Sequence, residues 1–343
     1  MPAMPAQTAP DAGASASGPV LDVRNLTISV GLRDGTRAIV VDDVSFSVPS
    51  GGSLALVGES GSGKTMTSLA IMGLLPKAAR VESGQILLDG DDLLRKSQAQ
   101  LQKLRGRRIA MIQQDPMTAL DPSFTVRSQL SEPLRQHRNL RGQALEEALV
   151  TSLEQVQLSA TRSRLNQYPH QLSGGMRQRI ISAIALAGKP RLLIADEPTT
   201  ALDVTTQARY LQLLRELQTT SGFALVLVAH DLLVVRHVCH RVVVMYASQV
   251  VEQGTVADVF SAPQHPYTRA LIGAIPVLGK VVRLESIEGQ APELTETIVG
   301  CRFAPRCKFA RDICNDALPA LTPRGEDRAA RCWGTEPDGW IVS

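Results

Sequence analysis

The chain has 343 residues, of which 44% are apolar, enough for one large domain with a hydrophobic core and a smaller domain beside it. The net charge is only +3, the lysines and arginines form no dense block, and aromatic residues make up just 3% of the chain, so we expect no nucleic-acid partner. No apolar run approaches the roughly 18 residues that span a bilayer, so we expect any function at a membrane to depend on a partner protein.

Residues 1–19 are predicted to form a disordered leader. This segment is rich in Ala, Pro, Ser and Gly and contains no Lys or Arg. A signal peptide would need a basic start followed by an apolar core, and a segment with few large apolar residues cannot bury enough surface to fold. The first domain is therefore expected to begin at residue 20.

The segment from residue 20 to 48 alternates apolar and polar residues, which predicts β-strands. The dipeptide Asp34–Gly35 divides this segment into two halves and is typical of hairpin turns. Residues 49–52 interrupt the pattern with Pro-Ser-Gly-Gly, and residues 85–90 return to it. We therefore expect an antiparallel β subdomain in the N-terminal part of the chain.

A glycine-rich loop follows the apolar strand predicted at residues 54–57 and leads into a helical segment. Its sequence is Gly58-Glu59-Ser60-Gly61-Ser62-Gly63-Lys64-Thr65, and strand, glycine loop and helix start are the context of a phosphate-binding P-loop. Glycines let backbone N–H groups surround phosphate oxygens, and the positive end of the helix dipole adds to the attraction. Lys64 should reach the β- and γ-phosphates, and the Thr65 hydroxyl should ligate Mg²⁺.

The following stretch predicts a helical insertion. A short amphipathic helix around Leu101 and Leu104 and a buried strand at residues 109–112 come first. From about residue 123 to 170 the apolar residues then recur at helical spacing without a strand signal. Together with a further helix expected at residues 180–187, this predicts a helical subdomain at about 123–190.

The remaining strands predict a parallel sheet. Apolar runs at residues 192–195 and 224–228 are separated by a helical segment, and near-continuous apolar strands alternating with helices indicate a sheet covered on both faces. Two further strands, at residues 242–245 and 250–252, should close the domain near residue 260.

Two acidic residues, Asp196 and Glu197, follow the first of these parallel strands. An acidic residue at the carboxyl end of a parallel strand beside a P-loop strand faces the Mg²⁺ of a bound nucleotide, which is the role expected for Asp196. Glu197 can reach the water that attacks the γ-phosphate, as general base or as a positioning group. Taken in isolation, the pair would more often be a solvated acidic turn before Pro198.

A second candidate anion site lies at Leu172-Ser173-Gly174-Gly175-Met176. Ser173 is a good N-cap, and the paired glycines leave N–H groups pointing outward at the start of a helix. An ordinary capped helix explains the same residues, so the segment alone leaves both interpretations open.

The order of these motifs over residues 20–260 resembles that of an ATP-binding-cassette (ABC) ATPase. The resemblance implies an α/β fold with an antiparallel β subdomain, a RecA-like parallel-sheet core and a helical insertion. It identifies the Walker A loop at 58–65, the Q-loop glutamine Gln114, the signature at 172–176, the Walker B pair Asp196 and Glu197, the D-loop at Ala201-Leu202-Asp203 and the switch histidine His230.

The same resemblance implies how the site would work. Two subunits would sandwich two ATP molecules, each bound by the Walker A loop of one chain and by the signature of the other. The implied catalytic residues are Glu197, His230 and Gln114, and the implied Mg²⁺ ligands are Thr65, Gln114 and Asp196. The implied nucleotide contacts from the partner half of the site are Ser173, Gly174, Gly175 and Asp203.

Two positions depart from the usual pattern of this family. The signature ends in Met176 where many cassettes have Gln. The aromatic residue that usually stacks on adenine is missing from residues 31–40, and Arg37 is a candidate to replace it.

Residues 113–122, 265–271 and 301–307 resemble more narrowly the oligopeptide/dipeptide/nickel branch of ABC importers. This implies a peripheral ATPase on the cytoplasmic face of the inner membrane, paired with a second ATPase subunit as a homo- or heterodimer. Two transmembrane permease subunits and an extracytoplasmic solute-binding protein are the implied partners. Di- or oligopeptides are the expected solutes, with a nickel chelate, an opine or a glutathione-like solute as alternatives. A soluble ABC ATPase without a transport role is the alternative of another class.

Four of the five cysteines lie in the last 43 residues, in a region expected to form a small C-terminal extension at 261–343. Cys301, Cys307, Cys314 and Cys332 are separated by five, six and seventeen residues, without the tight pairs that zinc sites favour. Four widely spaced thiolates suit an iron–sulfur cluster, and the branch resemblance implies a 4Fe–4S centre. Zinc, and free or disulfide-bonded cysteines, are the alternatives. The fifth, Cys239, is expected to be a buried packing residue.

Overall fold

The computed structural model describes residues 18–116, 118–275, 287–293, 296, 298–335 and 339–341. Nearly all of the predicted leader and Met117 of the Q-loop segment therefore lie outside the described residues. The strands are β1 (Leu21–Gly31), β2 (Arg37–Val48), β3 (Ser53–Val57), β4 (Ala79–Leu88), β5 (Asp91–Asp92), β6 (Ile109–Ile112), β7 (Leu192–Asp196), β8 (Ala224–Ala229), β9 (Arg241–Tyr246), β10 (Gln249–Thr255), β11 (Thr322–Pro323) and β12 (Ala329–Ala330).

The helices surround two sheets. They are α1 (Lys64–Met72), α2 (Gln98–Leu104), α3 (Val126–Arg138), α4 (Gly142–Gln155), α5 (Arg162–Leu165), α6 (Gly174–Leu186), α7 (Val204–Ser221), α8 (Leu232–Val238), α9 (Val256–Ser261), α10 (Pro266–Gly273) and α11 (Asp312–Asp316). Throughout the part of the chain that the structure describes, none of these helices combines the length and the apolar character needed to cross a membrane.

The first sheet is the antiparallel subdomain expected from the alternating N-terminal pattern. Its strand order is β2-β1-β4-β5, and the turn between β1 and β2 contains Asp34 and Gly35. Strand β4 begins at Ala79, six residues before the predicted start. The prediction was late because the buried residues that mark a strand in the sequence, Ile86 and Leu88, lie only in its second half. Gly84 allows the longer strand, since a Cβ there would lie 2.6 Å from the carbonyl oxygen of Arg24.

The second sheet has the order β11-β12-β10-β9-β3-β8-β7-β6. Strands β9, β3, β8, β7 and β6 are mutually parallel, whereas β10, β12 and β11 each pair antiparallel with their neighbour. Every residue of β3, β7 and β8 is buried, which explains why these strands appear in the sequence as unbroken apolar runs. The carboxyl ends of β3 and β7 lie at the same edge of the sheet, separated only by β8.

The helical insertion lies between β6 and β7 and contains α3, α4, α5 and α6. Helix α6 begins at Gly174, directly after the predicted N-cap Ser173, whose hydroxyl accepts a hydrogen bond from the Met176 N–H at 3.4 Å. The apolar residues of these helices join those of β7 and β8 in one core cluster, so the insertion packs on the parallel sheet.

The C-terminal segment is attached to the parallel sheet at its β10 edge. Strand β12 pairs with β10, and the fully buried carboxylate of Glu252 on β10 accepts hydrogen bonds from the backbone N–H groups of Gln264 and His265. Arg328 forms an ion pair with the same carboxylate at 2.9 Å. These donors satisfy the buried carboxylate, and removing one of them would leave a buried charge without compensation.

Candidate active site

The P-loop connects β3 to α1 at the centre of the parallel sheet. Two of its glycines are required by close contacts: a Cβ at Gly58 would lie 2.0 Å from the carbonyl oxygen of Met245, and one at Gly63 would lie 2.5 Å from that of Val40. Gly63 also has a φ of 100°, which L side chains rarely adopt. The loop is thus held between β2 and the end of β9, with its backbone close enough to its neighbours to exclude side chains.

Lys64 is buried and folds back over the P-loop. Its ammonium donates hydrogen bonds to the carbonyl oxygens of Gly58 at 2.7 Å and Glu59 at 2.9 Å. Burial lowers the pKa of Lys64, and the nearby carboxylates of Glu197 and Asp196 partly oppose that shift. Phosphate oxygens placed in the loop would offer the ammonium stronger, charged acceptors than these carbonyls.

Asp196 ends β7 and is almost completely buried. One carboxylate oxygen, Oδ1, has no hydrogen-bond partner. Burial, followed by the charge of Glu197, raises the pKa of Asp196 to about 6, against a hydrogen bond from Thr65 and the charge of Lys64. A buried and unpaired carboxylate oxygen next to a threonine hydroxyl suits a divalent cation with oxygen ligands, so Asp196 and Thr65 fit Mg²⁺.

Glu197 lies at the centre of a polar cluster that joins three of the predicted residues. Its Oε2 atom accepts a hydrogen bond from Gln114 Nε2 at 2.9 Å and lies 3.2 Å from His230 Nδ1. The Thr200 hydroxyl also donates to this oxygen, at 3.1 Å. The sequence alone did not single out Thr200, although its position three residues after Glu197 on a turn was the available signal.

The backbone at Glu197 is strained. Its φ is 43°, in the left-handed region that non-glycine residues rarely occupy, and its N–H donates to the carbonyl oxygen of Val228 on β8 at 3.0 Å. The Glu197 side chain is only 16% exposed, whereas that of His230 is 57% exposed. The cluster therefore directs a nearly buried carboxylate towards a solvent-accessible histidine, as a site that positions water requires.

The signature residues pack against the D-loop and the start of α7. A Cβ at Gly175 would lie 2.6 Å from the Thr206 side chain, and one at Gly174 would lie 3.7 Å from Leu202. Asp203, predicted to contact nucleotide, caps α7: its Oδ1 accepts hydrogen bonds from the N–H groups of Thr205 and Thr206. This capping function explains an Asp directly before a helix and was not predicted from the sequence.

Arg37 lies against the antiparallel sheet. Its guanidinium donates to the Ser29 hydroxyl at 2.8 Å and to the carbonyl oxygens of Ser29 and Ala78, and it lies 3.5 Å from Glu82. These contacts account for Arg37 without a nucleotide, so they lend no support to the predicted contact with adenine.

The four C-terminal cysteines converge on one narrow and mostly apolar cavity, which Phe303, Trp333 and Trp340 also line. All four are free thiols. Burial is the main cause that raises the pKa of Cys301 and of Cys307 to about 11, so both are neutral near pH 7.

The predicted metal centre in this cavity is not supported. Across the described ranges, no group of three or more His, Cys, Asp or Glu side chains is arranged to hold a metal ion. The physical reason is that a metal binds thiolates, whereas burial favours the neutral thiols of Cys301 and Cys307. Cys239, by contrast, is a buried packing residue after α8, as predicted.

Two protein families match parts of the chain. Residues 41–200 match the ABC transporter family, which covers the P-loop, the signature and the Asp196–Glu197 pair. Residues 251–314 match a family described as the oligopeptide/dipeptide transporter C-terminal region.

Curated relatives align with nearly the whole chain. A probable peptide ABC transporter ATP-binding protein of Sinorhizobium fredii is 49% identical over 319 residues, 92% of this chain and 94% of its own length. The dipeptide transport ATP-binding proteins DppD of Bacillus subtilis and Escherichia coli are 46% and 44% identical, over 92% and 91% of this chain and 94% and 96% of their own.

Solved structures of one bacterial ABC transporter cassette share the fold. The cassette in its dimeric form has a TM-score of 0.60 and 26% identity, covering 69% of this chain and 98% of the cassette. The same cassette in a post-hydrolysis state with ADP and Pi has a TM-score of 0.61 and the same identity and coverage. The family and fold inferred from the motifs are thus confirmed, and the chain belongs to the ABC transporter family of ATP-binding proteins and is an ATPase that uses ATP and Mg²⁺.

Proposed function

We propose that this ATPase energises the import of di- or oligopeptides, or of related small solutes, through a membrane permease. The observation that carries the proposal is the sequence identity of 44–49% to peptide and dipeptide transport ATP-binding proteins over at least 91% of the chain. The match of residues 251–314 to the oligopeptide/dipeptide C-terminal region adds to it. In this proposal the chain acts on the cytoplasmic face of the membrane, bound to two permease subunits that receive solute from an extracytoplasmic binding protein.

In the proposed hydrolysis step, each side chain has a separate task. Bound Mg²⁺ would neutralise developing charge on the phosphates, and Asp196 and Thr65 would hold it, with Gln114 as a further ligand. Lys64 would exchange the carbonyls of Gly58 and Glu59 for phosphate oxygens. Glu197 would accept a proton from the attacking water or hold that water in line.

The resting cluster around Glu197 suggests how the step is controlled. Gln114 and His230 both contact Glu197 Oε2, the oxygen that would face the water. When nucleotide arrives, Gln114 and His230 would turn from Glu197 to the phosphate and its water. The hydrogen bond from Thr200 would then remain and keep the Glu197 carboxylate oriented.

The proposed site needs two chains. Gly174 packs against the D-loop and Gly175 against the start of α7. In the proposal this surface, with Ser173 and Asp203, completes the nucleotide site of a second ATPase subunit. Specific activity should then fall on dilution as the pair separates, while nucleotide binding to each chain persists. A specific activity that stays constant at high dilution would contradict the two-chain site.

We further propose the division of the chain into a leader at 1–19, a nucleotide-binding domain at 20–260 and a C-terminal extension at 261–343. The helical subdomain would cover about 123–190 of the second part. Limited proteolysis with mass spectrometry tests this division, because exposed linkers are cut first.

For the C-terminal cysteines we propose a 4Fe–4S centre. The support is that Cys301, Cys307, Cys314 and Cys332 line one mostly apolar cavity as free thiols, a donor set suited to iron–sulfur clusters. Anaerobic purification followed by a 400 nm absorbance scan and metal analysis tests it. A colourless protein with stoichiometric zinc, or with four titratable thiols and no metal, would contradict the proposal.

The transport proposal is tested by co-expression with the permease subunits and the binding protein, followed by reconstitution into liposomes. Dipeptide-loaded binding protein should stimulate ATP hydrolysis and drive peptide uptake, and Glu197→Gln should abolish both. Stimulation by a nickel chelate, an opine or glutathione in place of peptides would identify another solute. Failure to co-purify with any membrane subunit would favour a soluble ATPase without a transport role.

A further inference from the structure

The P-loop is held from outside by the C-terminal segment, through Glu59. The carboxylate of Glu59 forms an ion pair with Arg306, with Nη1 2.9 Å from Oε2. The backbone N–H of the same residue donates a hydrogen bond to the Tyr267 hydroxyl at 2.9 Å. Two residues more than 200 positions away in the chain therefore contact the loop that binds phosphate.

Arg306 is itself fixed in place. Its side chain is only 7% exposed, and it donates further hydrogen bonds to the Tyr246 hydroxyl at 3.2 Å and to the carbonyl oxygens of Ile287 and Glu288. It directly precedes Cys307, at the end of a short turn. A guanidinium with this many fixed partners is a rigid support, since its planar fork loses little freedom per hydrogen bond.

Tyr267 is equally immobile. It is fully buried at the start of α10, and its ring lies 4.7 Å from the ring of Tyr246 and 5.5 Å from that of Phe303, between centroids. Burial raises the pKa of Tyr267, and its hydroxyl oxygen accepts the hydrogen bond from the Glu59 N–H. Phe303 lies between Cys301 and Cys307, so the aromatic cluster connects the cysteine cavity with the P-loop.

Glu59 needs such support for an electrostatic reason. Its carboxylate belongs to the loop that receives a polyphosphate, and an unpaired negative charge there would repel the ligand. Its carbonyl oxygen also accepts a hydrogen bond from Lys64 at 2.9 Å. The carboxylate, N–H and carbonyl of one residue are thus tied to Arg306, Tyr267 and Lys64.

We propose that Arg306 and Tyr267 are positioning residues for the P-loop: they neutralise and orient Glu59 and so make nucleotide affinity depend on the C-terminal segment. The proposal requires only the ATPase activity. It holds whatever solute is transported and whatever the cysteines bind.

The chain offers a matched control in Arg302. Like Arg306, this residue lies in the loop between Cys301 and Cys307, here called the cysteine loop. It connects that loop to the core through the Asp42 carboxylate and the Ala247 carbonyl oxygen, without contacting Glu59. Arg302→Gln and Arg306→Gln therefore each remove one guanidinium that docks the loop, but only the second exposes the Glu59 charge. The measurement is the Kd of the full-length chain for a fluorescent, non-hydrolysed ATP analogue with Mg²⁺, together with the Tm of each variant.

Arg306→Gln should weaken nucleotide binding by about three- to tenfold, the range for a partly exposed, charge-assisted contact, and Arg302→Gln by less than about twofold. Adding Glu59→Gln to Arg306→Gln should restore most of the affinity, because the repelling charge is gone. Tyr267→Phe, which keeps the ring and loses only the hydroxyl, should weaken binding by about two- to fivefold.

Several outcomes would overturn the proposal. Equal losses of affinity in Arg306→Gln and Arg302→Gln, in step with equal losses of Tm, would reduce Arg306 to a docking residue. So would a double variant, Glu59→Gln with Arg306→Gln, that binds no better than Arg306→Gln alone. An unchanged Kd in both Arg306→Gln and Tyr267→Phe would show that the P-loop needs no external support.

Discussion

The cluster around Glu197 and the cysteine cavity are held together by different forces. In the first, Gln114, His230 and Thr200 all lie within hydrogen-bonding distance of one carboxylate oxygen. In the second, four thiols line one mostly apolar cavity. Hydrogen bonds are directional and fix the orientation of side chains before any ligand arrives, whereas apolar burial brings groups close together without fixing their orientation. The hydrogen bonds around Glu197 therefore orient its carboxylate, whereas apolar burial sets only how near the four cysteines lie to one another.

The largest expected effect is on ATP turnover and comes from a substitution at the centre of the Glu197 cluster. Glu197→Gln should lower ATP turnover by about 10²–10⁴-fold, because the amide cannot accept the proton of water, while leaving nucleotide affinity nearly unchanged. Phosphate release at saturating ATP and a separate binding titration measure the two quantities. Glu216→Gln on the exposed side of α7 is the control, since Glu216 bonds only Gln157 and Gln212 among the contacts observed. Turnover at the parent rate in Glu197→Gln would remove Glu197 from the mechanism.

The second expected effect is on Mg²⁺ affinity and concerns the buried carboxylate of Asp196, next to Glu197. Because the pKa of Asp196 is raised to about 6, a proton competes with Mg²⁺ at this oxygen. Mg²⁺ affinity should therefore fall by about tenfold for each pH unit below 6, and stay constant above about pH 7. Titration of Mg²⁺ at fixed nucleotide concentration between pH 5 and 8 measures this. A pH-independent affinity would show that Asp196 does not hold the cation.

The same pKa shift has a consequence for stability without ligand. The pKa of Asp196 is higher in the folded state than in an unfolded chain, so the folded protein holds this proton more tightly. Its contribution to the free energy of unfolding is fully present at a pH below the ordinary pKa of Asp and is lost as the pH rises through about 6. Without nucleotide, Asp196→Asn should accordingly exceed the parent in free energy of unfolding by about 1–2 kcal/mol at pH 7.5 and match it near pH 4. Denaturant titrations at both pH values measure the difference.

A smaller effect, on the free energy of unfolding, is expected from substitutions of the cysteines. Cys332 and Cys239 are both nearly buried, and without metal the change of either to Ala should cost about 1 kcal/mol of unfolding free energy. In iron-loaded protein only Cys332→Ala should lose absorbance at 400 nm. Equal behaviour of the two variants under both conditions would mean that Cys332 only packs.

The smallest effect concerns Arg37. Its contacts with Ser29 and Ala78 are partly exposed, so Arg37→Gln should lower the free energy of unfolding by about 0.5–1 kcal/mol and change nucleotide affinity by less than about twofold. Arg24→Gln, which removes a more exposed ion pair with Asp22, should change neither quantity. A large loss of affinity in Arg37→Gln alone would restore the predicted contact with adenine.

The fold could be predicted where the pattern was local and continuous. The unbroken apolar strands β3, β7 and β8 and the turn at Asp34–Gly35 agree with the structure because burial on both faces, and a tight turn, each leave a direct trace in composition. The early start of β4 was missed because half of this strand is exposed, whereas Ser173 marked the start of α6 as its N-cap.

By itself, the sequence determined the glycine-rich P-loop between β3 and α1. Residues 58–65 are contiguous, and their glycines, lysine and threonine carry the local backbone geometry with them. Only the tertiary structure decided what surrounds that loop. Gln114 meets Glu197 across 83 positions, and Arg306 meets Glu59 across 247, through strands and turns whose relative placement depends on the packing of the whole core. Such contacts leave no periodicity in the chain, because each partner's residue type is equally suited to an ordinary solvated surface.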